Sequence, residues 1–380
     1  MKNSELHTKF HLRNTNYSVF LLAQEQISTD PTFIQDVEHR PKLAATQAEG
    51  IPLIDLAALV GYSPSDGAVA DSAAVEGLVA EIGEACKRWG FFAVVNHGVA
   101  AEKRERIERE AREFFGQSLE EKKKVRRDEK RAVGYYETEH TKNVRDWKEV
   151  FDFAVQEPTL VPASLEDGEE GVIEGNNQWP EYPPGLREAC EEYAQELQKL
   201  AHKLMGLIAQ SLGLPANRFD EFFKDHTSFV RLNHYPPCPA PHLALGVGRH
   251  KDSGALTILA QDNVGGLEVK RKSDGEWVQV KPIPNAFIIN VGDIIQVWSN
   301  EAYESVEHRV MVNSEKERFS IPFFFTPPHY TMVQPLKELT DEHNPPKYRP
   351  YNWGKFLVTR RTSNFKKLEV ENLQIHHFRI

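Results

Sequence analysis

The sequence predicts an α+β fold: a double-stranded β-helix, or jelly roll, carried by supporting helices, one of them long and placed just before the barrel. Three features of the chain lead there. From Ser228 onward the texture is that of strands: SFVRLNHYP, ALTILAQ, GLEVKRK, EWVQVKP, AFIINVGD, IIQVWSN, HRVMVN and RFSIPFFFTP, separated by turn signals such as Ser273 to Gly275. About eight short strands in roughly a hundred residues point to an all-β sandwich or barrel, and a two-sheet jelly roll holds a ligand between its sheets. Ahead of them, Leu186 to Leu212 keeps Leu186, Cys190, Tyr193, Leu197, Leu200, Leu204, Leu207 and Leu212 on one helical stripe, a backbone for a sheet. Strand-like and helical stretches alternate between Ile51 and Phe115.

Taken in order, residues 1–50 are polar and without a sustained period, and read as a flexible extension that settles onto the fold only around PTFIQDVEHRP. IPLIDLAAL (Ile51 to Leu59) is an edge strand. Ser72 to Trp89 is a helix with Val75, Leu78, Val79, Ile82 and Cys86 at three-to-four spacing, stopped by Gly90 as a C′ residue. FFAVVNHGV (Phe91 to Val99) is a buried strand, and Glu102 to Phe115 a charged helix whose inner stripe is Ile107, Ala111 and Phe114. Ser118 with Glu121 three residues on starts another short helix. Arg131 to Glu157 has no clean period, and a long irregular stretch with aromatic and charged side chains is more often functional than padding. Leu160 to Pro184 is acidic and rich in Pro and Gly, a loop or linker. The boundaries that follow are an extension (1–50), an amino-terminal helical and strand region (51–168), a linker with the long support helix (169–222), the jelly roll (223–328) and a helical carboxy-terminal lid (329–380).

Composition excludes several functions. With a formal net charge of -10 over 380 residues, the chain is a poor partner for nucleic acid or an anionic membrane surface. Cys86, Cys190 and Cys238 are an odd, scattered set without CxxC spacing, which fits a reducing compartment and neither a disulfide framework nor a structural zinc site. No apolar run approaches the roughly 18 residues that span a bilayer. VFLLA (Val19 to Ala23) is too short for a signal-peptide core. The expectation is a cytoplasmic monomer, with a nuclear pool left open, acting on a small molecule.

The chemistry-bearing motif is GRHKDS (Gly248 to Ser253). At a strand end, His250 and Asp252 would point to one face, and Lys251 to the other. His308, in VEHRVMV, is the candidate third ligand, and two His with one carboxylate is the donor set of non-haem Fe(II) oxygenases. HxD alone occurs by chance in many chains, so its weight comes from its company. Period two places Arg318, Ser320, Pro322, Phe324 and Thr326 on one strand face, and Arg231, Asn233 and Tyr235 on another. An arginine inside an apolar barrel needs an anion, and its fork suits a carboxylate, with the Ser320 or Tyr235 hydroxyl beside it. Fe(II) with 2-oxoglutarate would satisfy both demands. Gly246 to Gly248 lacks the third Gly of a phosphate loop, His376 and His377 read as an exposed tail, and Lys122 to Lys124 as a solvated face.

WGFFAVVNHGV, NHYPPCP, LALGVGRHKDSGALTILAQD, GGLEV, INVGD, SNEAYESVEHRV and RFSIPFFFTP, in this order from about Ile51 onward, resemble the plant-type 2-oxoglutarate- and Fe(II)-dependent dioxygenases, whose relatives include flavonol synthase, gibberellin oxidases and ACC oxidase. The resemblance implies His250, Asp252 and His308 as iron ligands. It implies Arg318 and Ser320 as the pair that binds the 2-oxoglutarate tail, with Asn233 and Tyr235 beside them. It further implies O2 as oxidant, ascorbate as activator, and hydroxylation or desaturation of a small, mostly apolar metabolite or hormone with release of succinate and CO2. Phe324, Tyr135 and Tyr136 are the pocket-lining candidates. His97 falls in the amino-terminal signature with a structural role, and His234 should face away from the cofactor contacts. Thr326 stands where flavonoid-acting relatives tend to carry an acidic side chain, which speaks against a flavonoid substrate. Two other readings are an ascorbate-dependent oxidase of the ACC-oxidase kind and a non-catalytic metabolite-binding protein on the same fold; intact ligands and clamp argue against the second.

Overall fold

A computed structural model describes residues 30–42, 50–59, 72–128, 131–165, 171–365 and 373–380. Most of the expected flexible extension, residues 1–29 and 43–49, lies outside the described residues. The part of it that is described makes two 3-10 turns, Pro31–Phe33 and Val37–His39, and buries Phe33 edge-on against Trp147.

Twelve strands build two facing sheets: β1 (Leu53–Asp55), β2 (Phe91–Val95), β3 (Gly134–Tyr136), β4 (Glu149–Ala154), β5 (Phe229–Tyr235), β6 (Val247–His250), β7 (Leu256–Gln261), β8 (Leu267–Lys270), β9 (Trp277–Gln279), β10 (Phe287–Val291), β11 (His308–Val310) and β12 (Arg318–Phe325). The large sheet runs β1-β2-β10-β7-β12-β5-β4-β3 and the small one β6-β11-β8-β9, and every pairing is antiparallel except β1 with β2. This is the expected double-stranded β-helix. Helices α1 (Ser72–Arg88), α2 (Ala101–Phe115) and α4 (Leu186–Ser211) back the large sheet, with the short α3 (Leu119–Lys123) after α2.

The large sheet works because its period-two pattern sends alternate residues to two different environments. Phe92 and Val94 of β2, Ile258 of β7, Phe287 and Ile289 of β10, and Phe319, Ile321 and Phe323 of β12 pack with Leu197, Leu204 and Ile208 of α4 in the main core. The intervening residues face the small sheet across a cavity. Gly90 ends α1 at φ +64° with its N–H on the Ala85 and Cys86 carbonyls, and a Cβ there would stand 2.8 Å from the Glu304 carbonyl oxygen, so the position requires glycine.

The structure departs from the sequence reading in four places. IIQVWSN is a helix, α5 (Asp293–Trp298), whose six residues are all buried. A short apolar run buried on every side carries no periodicity, so helix and strand read alike. The eighth barrel strand is β6, hidden in the Gly-rich GVGRH. Arg131 to Glu157 is ordered: it supplies β3 and β4 to the large sheet, joined through a small hairpin of His140–Thr141 with Val144–Arg145. Leu160 to Pro184 is no plain loop, since Thr159–Pro162 pairs with Val172–Gly175. The carboxy-terminal helix is α6 (Trp353–Phe365), and the chain end returns to the segment before it through Arg349 N–H to the Phe378 carbonyl at 2.7 Å and Ile380 N–H to that of Lys347 at 3.0 Å.

Candidate active site

The cavity between the sheets measures about 750 Å³. At its inner end His250 on β6 and His308 on β11 are cross-strand partners, with imidazole centroids 4.2 Å apart. Asp252 lies beyond the end of β6, so strand alternation is not what aims it; the chain leaves the ladder at His250 and turns the carboxylate back. Three backbone bonds from the start of α5 hold that turn: Asp293 N–H to the Asp252 carbonyl at 2.8 Å, Ile294 N–H to that of Gly254 at 3.1 Å and Gly292 N–H to that of Ala255 at 2.9 Å. The three ligand atoms lie within 4.8 Å of one another. Lys251, expected on the opposite face, lines the cavity instead, for the same reason: no strand extends past His250.

Each donor is oriented from behind. Nδ1 of His250 donates to the Gly248 carbonyl at 2.8 Å and Nδ1 of His308 to that of Val306 at 3.2 Å, leaving both Nε2 lone pairs facing the common point. Asp252 Oδ1 stands 3.6 and 3.5 Å from those Nε2 atoms, while its Oδ2 accepts from Thr257 at 2.6 Å and Asn290 at 2.8 Å. Burial, then His308, pushes His250 well below the usual imidazole range, toward the neutral form that ligates. For Asp252, burial alone would raise the carboxyl, but His308, His250 and the two donors more than offset it and hold it below its ordinary value. Two imidazoles and one carboxylate fit Fe(II).

Next to the triad the clamp residues form rows across three strands: Gln261 of β7 faces Ser320 of β12, which faces Asn233 of β5, and Arg318 faces Tyr235. Arg318 is 2% exposed. Its Nη2 donates to Gln261 Oε1 at 3.2 Å and its guanidinium carbon stands 4.9 Å from the Tyr235 ring centroid, but Nε and Nη1 have no partner, nor do Asn233 Oδ1 and Gln261 Nε2. A buried cation with two unmet donors beside a metal triad fits the far carboxylate of 2-oxoglutarate.

Of the pocket candidates, Phe324 lines the cavity, stacked on Phe229 at 4.7 Å. Tyr135 and Tyr136 do not. Tyr135 is in the main core with its hydroxyl on Glu149 at 2.6 Å, and Tyr136 packs under Arg126 and Arg127. Neighbours on β3 point to opposite faces: Tyr135 goes to the helix side with Phe151, and Tyr136, on the face of Val150 and Asn233, is covered by the two arginines at the edge of the sheet. His97 bridges to the Asn285 carbonyl at 2.9 Å, and His234 faces away from the cavity between Glu149 and Glu317. His376, read as a bare tail, is exposed but lies at the cavity mouth with Gln374, Ile375 and Arg379. Sequence reasoning missed Thr257, Asn290 and Gln261; Asn290 is the one polar residue of β10 and Thr257, its register partner, interrupts the apolar run of β7, and that was the available signal. It also missed the ion network of Arg127, Glu139, Lys148, Asp152 and Arg231 at the β3-β4 end of the large sheet.

Comparison with known proteins agrees with this geometry. Residues 226–327 match the model of the 2OG-Fe(II) oxygenase superfamily, and residues 51–182 that of the non-haem dioxygenase in morphine synthesis N-terminal region. Jasmonate-induced oxygenase 2 of Arabidopsis thaliana is 38% identical over 349 residues, 90% of this chain and 88% of that protein. Gibberellin 20 oxidase 1 of Oryza sativa subsp. japonica is 37% identical over 332 residues, 86% of this chain and 84% of the relative. The crystal structure of JOX2 in complex with 2OG, Fe and JA superposes with a TM-score of 0.72 at 35% identity, covering 89% of this chain and 93% of that one. A Neurospora crassa T7H structure in complex with alpha-KG has a TM-score of 0.68 at 27% identity, covering 85% and 100%. With a His-Asp-His triad on a jelly roll and matches of this extent, the chain belongs to the 2OG-Fe(II) oxygenase superfamily as a dioxygenase that depends on Fe(II), 2-oxoglutarate and O2.

Proposed function

We propose that this oxygenase hydroxylates, or desaturates, a small and mostly apolar plant metabolite or hormone, releasing succinate and CO2, with His250, Asp252 and His308 as the iron ligands. The single observation that carries the co-substrate site is Arg318: buried, unpaired by any carboxylate among the described residues, and beside the triad. Arg318 and Ser320 would hold the far carboxylate of 2-oxoglutarate, with Asn233 and Tyr235 fixing their rotamers. When bound, Fe(II) with 2-oxoglutarate and O2 supplies the oxidising power to attack an unactivated C–H bond.

The chain's own part is positional. Thr257 and Asn290 hold one oxygen of Asp252 so that the other stays turned to the imidazoles. Phe324, Pro322 and Trp353 give the cavity an apolar wall that excludes water from the reacting carbon. A cavity of about 750 Å³ supports a hormone-sized substrate, as do relatives named for jasmonate and gibberellin. The test is CO2 release from labelled 2-oxoglutarate by purified protein with Fe(II), across a panel of apolar metabolites and hormone acids. Turnover should exceed a His250→Ala control for at least one compound; equal release from both proteins across the panel would sink the reading.

A further inference from the structure

We infer that Asp146 is a positioning residue for His250, acting through the backbone of Gly248; this rests on the reading of His250 as a metal ligand. Asp146 follows the small hairpin at His140–Arg145, inside the aperiodic Arg131 to Glu157 stretch, and is 1% exposed. One carboxylate oxygen accepts the Gly248 N–H at 2.9 Å; the other accepts the Thr141 hydroxyl at 2.8 Å and lies 3.4 Å from Lys148 Nζ. The ladder between β6 and β11 is irregular between Val247 and His250, so Asp146 supplies the acceptor that a buried Gly248 N–H needs.

Gly248 is also held from the side. A Cβ there would stand 3.1 Å from both Cβ and Cγ2 of Thr141. Its carbonyl takes the Nδ1 proton of His250 at 2.8 Å, and that bond sets the tilt of the imidazole and the aim of Nε2. The ligand is therefore oriented by a carbonyl whose residue is gripped by Asp146 and Thr141. Lys148, bound to Glu139 at 2.9 Å, ties the grip to the ion network behind it. No pairing along β6 alone would do this, because the strand ends at His250.

The experiment titrates metal-free protein with Co(II), whose visible d–d bands report ligand geometry, alongside the thermal midpoint of the metal-free fold. Asp146→Ala should weaken Co(II) binding about tenfold, the lower end expected for a partner behind a ligand, and alter the bands. Asp146→Asn, whose amide oxygen can still accept the Gly248 N–H, should recover most of that affinity and the wild-type spectrum. Wild-type affinity and bands in Asp146→Ala, or equal impairment in Asp146→Asn, would overturn the inference. Should Asp146→Ala fail to fold, Thr141→Val decides: it keeps the side contact and removes the hydroxyl, and should weaken Co(II) binding and perturb the same bands by less. Unchanged binding and bands in that variant would overturn the inference too. If wild type takes up Co(II) no better than His250→Ala, the metal-site reading falls and the inference with it.

Discussion

Arg231 and Arg318 stand on neighbouring strands, face the same cavity and are both largely buried, yet the fold treats them oppositely. Arg231 makes four bonds of 2.7 to 2.9 Å to Asp152 and Glu139. Arg127 and Lys148 complete a set of three cations, with Asp146 as the third carboxylate, so charge is balanced within the wall. Arg318 has one bond, to a neutral amide oxygen, and two donors left over. A buried charge is tolerated when a partner of opposite sign is in place. Where the chain provides that partner the arginine is architecture; where it withholds it, 2-oxoglutarate is the proposed partner.

The largest expected effect breaks the satisfied end. Arg231→Met removes four bonds from Asp152 and Glu139, leaves three buried carboxylates against two cations, and should cost about 3–5 kcal/mol of folding stability in urea unfolding. A loss below about 1 kcal/mol would mean that the network is decoration. Arg318→Met should leave the fold as stable as before, since it removes an unpaired buried charge, while weakening 2-oxoglutarate binding by about 2–5 kcal/mol, roughly 30-fold to several thousand-fold. Swapped outcomes for the two arginines would invert the comparison.

Behind the metal, Asn290→Leu removes one of the two donors to Asp252 and should weaken metal binding by about 10- to 100-fold, read by the same Co(II) titration. An unchanged affinity would leave Thr257 as the only partner of consequence. The smallest effect concerns His234, on the outward face of β5. Burial would lower this imidazole, but Glu149 and Glu317 together raise it above its ordinary value. A raised folded pKa stabilises fully below the unfolded value near 6.5, and the contribution fades as pH rises through the folded value. His234→Gln should therefore cost about 1 kcal/mol at pH 6 and less at pH 9. Equal cost at both would show that the ring acts by packing against Phe319 and Phe115 rather than by charge.

Much of this was legible because period two is a strong local signal. Arg318, Ser320, Pro322, Phe324 and Thr326 all line the cavity, as do Arg231, Asn233 and Tyr235, each set read from one strand. The GRHKDS spacing brought His250 and Asp252 together for a wrong reason: Asp252 is aimed by the turn at Gly292–Ile294, a tertiary contact with no trace in that motif. Two strands and a hairpin within Arg131 to Glu157 were illegible because charged residues there point inward to one another, erasing the apolar alternation that marks a strand. Tyr135 and Tyr136, read as part of that irregular stretch, belong to β3, a strand of three residues too short to show a period.

The central claim is that the unmet valence of Arg318 is the seat of the co-substrate. It is tested most directly by anaerobic calorimetric titration of 2-oxoglutarate into Fe(II)-loaded wild type and Arg318→Met. The account predicts saturable one-to-one binding to wild type and a loss of at least roughly 30-fold in the variant, with its thermal midpoint kept. Equal affinity in the two proteins would contradict it.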